Sequence, residues 1–347
     1  MALLAMDVGA GTQDILLREE GLPLENSAKM VMPSMAVIVG RQIDGVRHRG
    51  RDVALTGTTM GGGASTRAAK RQIMAGLRVF ASPKAALTFN DDLERVREMG
   101  VVISEEAPLQ AEVVVMGDLD LSALKSTFER FGLDMPKDAA VAVQDHGYSP
   151  DRSNRMVRME EMAKALYSGG ELRSFVHLDP PPLFNRMRAA KEMLDSSGLR
   201  SMIMDTGPAA IFGALLDPRS AEPALVLNAG NGHTIGAVVA EGRITALFEH
   251  HTSSLTAGDL LRFSERLCEG TITNREVFED GGHGAVVVEA PGAEKIGSVV
   301  VTGPNREKFT ESGILEKLGP VISAAPGGDM MIAGCLGLVE AWKALRG

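Results

Sequence analysis

AMDVGAGTQDILL, residues 5–17, and VLNAGNGHTIGAV, residues 226–238, are two versions of one pattern. Each has an apolar run, a turn with glycines at alternate positions (Gly9 and Gly11, then Gly230 and Gly232), and a second apolar run. That is a strand–turn–strand hairpin. Glycine at such a turn allows positive φ and lets backbone N–H groups come close to an anion. Asp7 ends the first run, and a carboxylate at a strand mouth can hold Mg²⁺ directly or through water. Thr12 adds a hydroxyl, and His233 and Thr234 occupy the matching end of the second turn. Neither turn is followed by Gly-Lys-Ser/Thr, so neither is a Walker A loop. One hairpin repeated far apart in a chain implies two structurally related lobes.

Size and composition agree. A chain of 347 residues is long for one domain, and 44% apolar residues can fill two cores. The formal net charge of −9 argues against a broad nucleic-acid footprint or attraction to anionic membranes. The only cysteines, Cys268 and Cys335, have no CxxC or CxxxC spacing, which excludes a disulfide scaffold and suits a reducing, cytoplasmic setting. The opening MALLAMDVGAG is too short in its apolar run, and too acidic, to be expected as a secretory leader. No apolar run approaches the roughly 18 residues that suggest a membrane span.

Along the chain, strand-type and helix-type segments alternate, which predicts an α/β class. Strands are expected at Leu3–Val8, Ile15–Leu17, Met35–Val39, Val113–Met116, Ala139–Val143, Met202–Met204, Leu225–Leu227, Ile235–Val239 and Val299–Val301. Helices are expected at Ser65–Leu77, Leu121–Phe131, Arg186–Ser196, Ala209–Leu216 and Met330–Leu345. Ala209, Ala210 and Gly213 on one helix, with Gly334 and Gly337 on another, make small faces suited to a close crossing. A glycine inside a helix costs about 1 kcal/mol against alanine, so such pairs need a packing reason.

Five blocks in this order resemble the actin, hexokinase and heat-shock-chaperone ATPase superfamily. DVGAGTQD (7–14) is similar to its first phosphate motif, and LNAGNGHT (227–234) to its second. DTGPAAIFGALLD (205–217) resembles the first connecting helix, VVVTGPNREKF (299–309) the adenosine motif, and APGGDMMIAGCLGLVEA (325–341) the second connecting helix. The resemblance implies two ribonuclease H-like (actin-like ATPase) lobes with a nucleotide cleft between them. The expected divisions are residues 1–205, 206–328 and a closing helix, 329–347, returning to the first lobe. It also implies ATP and Mg²⁺, with Asp7 on the metal and Gly9, Gly11, Thr12, Gly230, Gly232, His233, Thr234, Gly303 and Asn305 around the nucleotide. More narrowly, the chain is similar to a prokaryotic actin-like family labelled as related to the pyruvate formate-lyase activating enzyme. A radical activase needs a CxxxCxxC cluster motif, which this chain lacks.

The departures from the motifs bear on chemistry. Asn228 stands where the second phosphate motif usually has Asp, and an amide holds metal-bound water less strongly than a carboxylate. Thr206-Gly207-Pro208 replaces the segment that usually carries a water-orienting Glu, and Pro304 replaces a glycine of the adenosine motif. Asp205 is the substitute candidate, with a helix N-cap as its other reading. Asp145 and His146 follow the Ala139–Val143 strand and could serve as base and phosphate partner, or Asp145 could simply brace a turn. His250 and His251 are adjacent on a strand and so point to opposite faces. Arg67, Lys70 and Arg71, like Arg152 and Arg155, are either phosphate contacts or solvated charges. The function expected is ATP hydrolysis or phosphoryl transfer with Mg²⁺ to an unknown small-molecule acceptor. A slow nucleotide-dependent switch or reactivase acting on a protein partner is the alternative. Nucleic acid and membrane are not expected partners.

Overall fold

The computed structural model describes residues 2–346. Strand β1 (Ala2–Val8) is apolar almost throughout because it is buried on both faces. It turns back into β2 (Thr12–Glu19), which pairs antiparallel with β3 (Ala28–Pro33). An insertion follows, with β4 (Val53–Gly57), β5 (Val79–Ala81), β6 (Val101–Ile103) and β7 (Glu112–Met116). The chain then re-enters the first sheet through β8 (Asp138–Val143), β9 (Val176–His177) and β10 (Arg200–Met204). The sheet order is β3-β2-β1-β8-β10-β9, with β8 parallel to β1 and β10 parallel to β8.

The second half repeats this plan. Strands β11 (Ala224–Ala229), β12 (His233–Ala240) and β13 (Arg243–His251) form an antiparallel meander. After β14 (Gly284–Val287), β15 (Ser298–Thr302) lies parallel to β11 and β16 (Val321–Ser323) parallel to β15. The order is β14-β13-β12-β11-β15-β16. An antiparallel meander extended beyond its first strand by two successive parallel strands occurs in both halves, so each is a ribonuclease H-like lobe and the class is α/β. The register matches too: Val8 pairs with Gln13 in the first hairpin and Ala229 with Thr234 in the second.

The inserted strands make a separate parallel sheet, β6-β5-β4-β7. Met35–Val39, expected as a strand, is instead the start of a helix, Met35–His48. Read alone, the run Met-Ala-Val-Ile-Val is ambiguous; over the full window Ala36, Val39, Ile43 and Val46 recur at helical spacing and are the buried residues. The closing helix begins at Ala333 rather than Met330.

Two helices join the lobes. The hinge helix, Thr206–Ala214, follows β10 and packs on β11, whereas the closing helix, Ala333–Ala344, returns to β1, β2 and β8. They cross backbone to backbone. A Cβ placed on Gly213 would lie 1.7 Å from the carbonyl oxygen of Ala333, and one on Gly337 would lie 2.0 Å from that of Ala209. Only glycine fits at either position.

Candidate functional site

The two glycine turns face each other across the hinge. Each is closed by the same bond: the Gly9 N–H donates to the Thr12 carbonyl at 2.9 Å, and the Gly230 N–H to the His233 carbonyl at 2.9 Å. The turns touch, since a Cβ on Gly11 would lie 2.6 Å from Asn231 Nδ2 and one on Gly232 would lie 3.4 Å from the Ala10 Cβ. The N–H groups of Ala10, Gly11, Asn231 and Gly232 make no hydrogen bond among the described residues.

Asp7 sits at the mouth of β1 against the closing helix, where a Cβ on Gly334 would lie 1.9 Å from Asp7 Oδ2. Burial pushes the Asp7 carboxyl up to about 7, although the hydroxyl of Thr206 donates to Oδ1. Behind it, Asp14 is pushed up to about 8, first by burial and then by the negative charges of Asp7 and Asp329. The Thr12 hydroxyl bonds Asp14, and Asp14 Oδ1 is buried without a partner. Asn228 is the counterpart of Asp7 in the second hairpin. Its Oδ1 packs over Gly303, whose φ of +94° and close neighbours exclude a side chain. Asn305 binds the second turn, its N–H donating to the Ala229 carbonyl and its side-chain amide to that of Gly230, both at 3.0 Å. The hydroxyl of Thr234 is fully buried and bonded to Thr252, so it does not face the cleft. Asp7, Gly9, Thr12, Gly230 and Gly303 line a small cavity of about 70 Å³.

On the other side of the turns lies an open cavity of about 1010 Å³, lined by residues of both lobes and of the insertion. At its floor is a buried ionic knot. Arg158, on the helix Asn154–Tyr167, gives two hydrogen bonds to Asp205, at 2.7 and 3.0 Å, and one to Glu249 Oε2 at 2.7 Å. A fourth goes to the Asp145 carbonyl at 2.8 Å. Desolvation works against the guanidinium, but Asp205 and Glu249 outweigh it and keep it charged. Burial likewise works against the Glu249 carboxylate, but Arg158 above all holds it below the usual carboxylate range.

Both Asp205 and Asp145 have structural partners. Asp205 caps the hinge helix through the Gly207 N–H at 3.0 Å and is otherwise taken up by Arg158. Asp145 accepts from the N–H groups of Gly147 at 2.8 Å and Met187 at 2.9 Å, which braces the loop after β8. Every carboxylate oxygen of the two already accepts a hydrogen bond from the protein. Arg186, beside it, pairs with Asp118 at 2.7 Å and joins the insertion to this floor.

His146 and His233 also line the large cavity, where they meet a residue the motifs did not suggest, His283. The Nε2 atoms of His146 and His283 are 3.1 Å apart, and the rings of His233 and His283 lie 4.7 Å apart. Burial pushes His283 down to about 3 and His233 down to about 4, and holds His146 well below its usual range. All three are neutral near pH 7. His251 pairs across the strands with His233, their rings 4.9 Å apart. His250 points the other way, into the second lobe, and stacks on Phe263.

The sequence profile of a family described as "Putative pyruvate format-lyase activating enzyme (DUF1786)" matches residues 60–308. The chain belongs to this family. Solved structures similar to this DUF1786 member include the ethanolamine utilization protein EutJ from Carboxydothermus hydrogenoformans, at 15% identity over 97% of this chain and 89% of that one, TM-score 0.38. Another is the activator of the 2-hydroxyisocaproyl-CoA dehydratase from Clostridium difficile with bound ADPNP, at 11% identity over 100% and 97%, TM-score 0.37. A third is Ta0583, an archaeal actin homolog in complex with ADP, at 11% identity over 100% of both chains, TM-score 0.40. No functionally curated protein matches. The fold of this family member is established by its own strand order and register, not by those likenesses.

The family's label does not fit the thiols. Cys268 is buried in the second lobe, where burial pushes it up to about 12. Cys335 is buried in the closing helix, its Sγ against the Asp14 carbonyl at 3.1 Å. They occupy different cores and cannot share a cluster. Among the described residues no helix is long and apolar enough to cross a membrane.

Proposed function

We propose that the protein binds ATP with Mg²⁺ between its two glycine turns and uses it to act on a molecule held in the large cavity. One observation carries this reading: two turns of identical register face each other over a glycine-crossed hinge, with four backbone N–H groups free of protein partners. Such amides are the donor set an anionic phosphate chain requires. Asp7 is the carboxylate placed to hold Mg²⁺, which would supply charge neutralisation on the phosphates. The 70 Å³ between the turns is below the roughly 300–1,000 Å³ of ligand pockets, and Asn231 fills the gap against Gly11. The lobes therefore part about the hinge to admit nucleotide and close again over it.

Three residues favour a slow switch over rapid turnover. Asn228 replaces one of the two carboxylates, and the oxygens of Asp145 and Asp205 are already bonded. Rate then comes from positioning alone, without a free general base. The test is a calorimetric titration with ATP and Mg²⁺ of the full chain and of Asp7→Ala, followed by phosphate-release kinetics. Saturable binding that weakens at least tenfold in Asp7→Ala supports the reading. Absence of binding up to millimolar ATP overturns it, and phosphate release at many turnovers per second overturns the switch.

A further inference from the structure

We propose that His146, His233 and His283 form a three-histidine site for a zinc-class divalent cation on the wall of the large cavity. One nitrogen of each ring lies within 4.8 Å of the others. The closest pair, His146 Nε2 and His283 Nε2, is 3.1 Å apart. Two nitrogens bound tetrahedrally at the usual zinc distance of about 2.0–2.1 Å stand about 3.3 Å apart. His233 offers the third nitrogen, within 4.8 Å of the other two.

The three residues arrive on separate segments. His146 is in the loop after β8, His233 at the end of the second glycine turn, and His283 immediately before β14. Three imidazoles are thus brought together from both lobes, with ring centroids 4.7–5.7 Å apart. Two Nε2 atoms at contact distance require one ring to donate and the other to accept, and the buried Nδ1 of His283 is left without any partner. A cation shared by the two Nε2 atoms would take the place of that contact.

The surroundings suit it. The set offers three imidazoles and no competing thiol or lysine. The single positive charge of Arg158 faces two carboxylates, Asp205 and Glu249, so this knot carries one negative charge in excess beside the histidines. Glu249 Oε1 accepts from the Gln144 side-chain amide at 2.6 Å and stands 4.0 Å from His233 Nδ1, near enough to act on a cation there by charge but not by a hydrogen bond. An all-imidazole set selects Zn²⁺, Co²⁺, Ni²⁺ or Cu²⁺ and disfavours the oxygen-seeking Mg²⁺. The site is thus separate from the Mg²⁺ of the nucleotide reading. Because His146 and His233 line the cavity, the fourth position opens toward it, which is the arrangement of a zinc that binds or activates a ligand rather than one that only braces a fold.

The test uses the chelator-treated full chain without nucleotide, so its outcome is independent of ATP binding. Zn²⁺ is titrated in competition with a chromophoric chelator, and Co²⁺ is followed by visible absorption. The expected result is one equivalent per chain with submicromolar affinity, and intense cobalt bands of a four- or five-coordinate ion. His146→Gln and His283→Gln should each weaken binding about 100-fold or more, whereas His177→Gln, outside the cluster, should leave it unchanged. Circular dichroism checks that each variant folds, and His146→Gln, at a partly exposed position, serves if the buried His283→Gln does not. Binding no tighter than millimolar, or equal binding in wild type and His146→Gln, overturns the proposal and leaves a plain histidine hydrogen-bond cluster.

Discussion

Gly337→Ala adds one methyl group where the hinge and closing helices cross. Its carbon would stand 2.0 Å from the Ala209 carbonyl oxygen and 2.8 Å from its carbon. Ordinary contact is about 3.5 Å, so the helices must separate by roughly 1.5 Å. Over-packing of this kind costs about 1–3 kcal/mol, and the upper end applies because both partners are backbone and cannot swing aside. Alanine returns up to about 1 kcal/mol through helix propensity. The net expectation is a loss of about 2 kcal/mol, or roughly 4 °C in Tm at about 2 °C per kcal/mol for a chain of this size. Gly45→Ala is the control. It lies inside the helix Met35–His48, and its new carbon meets only the tip of Arg49, at 3.5 Å. There the same substitution should raise Tm by about 1–2 °C. Thermal unfolding followed by circular dichroism compares the pair. If Gly337→Ala melts at or above wild type, the crossing is not tight and the hinge argument fails.

Arg158→Met strands the carboxylates of Asp205 and Glu249 in the interior and should cost about 3–5 kcal/mol, read as a fall in urea midpoint; an unchanged midpoint would show the knot to be energetically idle. Asp14 is an acid whose folded value is raised from 3.8 to about 8, so the folded state holds its proton more tightly than the unfolded chain. Its contribution to stability is greatest below about pH 4 and is lost as pH rises toward 8. Asp14→Asn should therefore gain Tm relative to wild type at pH 8.5 and gain little at pH 4.5; a gain that does not grow with pH contradicts the assignment.

Much of the fold is legible in the sequence because its deciding features are local. Alternate glycines after an apolar run specify the hairpin at Gly9–Gly11 and again at Gly230–Gly232, and small residues at helical spacing mark the crossing at Gly213 and Gly337. The insertion is not legible as a separate sheet, since β5 and β6 have three residues each and carry no period. The site is legible only at the turns. Arg158, Glu249 and His283 belong to it through distant pairings, such as His146 with His283, that no local spacing encodes. Thr234 shows the converse failure. It stands one position beyond the seat of Thr12, in register with Gln13, so the pleat turns its hydroxyl inward to Thr252.

The matched register of the two hairpins makes the molecule its own reference standard. Asp7 and Asn228, Ala10 and Asn231, and Thr12 and His233 are pairs of different residues in equivalent seats. One seat carries a carboxyl and its twin an amide, one a methyl and its twin an amide, one a hydroxyl and its twin an imidazole. The two lobes therefore share a skeleton but not a vocabulary, and what each half contributes can be read by exchanging one letter for its twin.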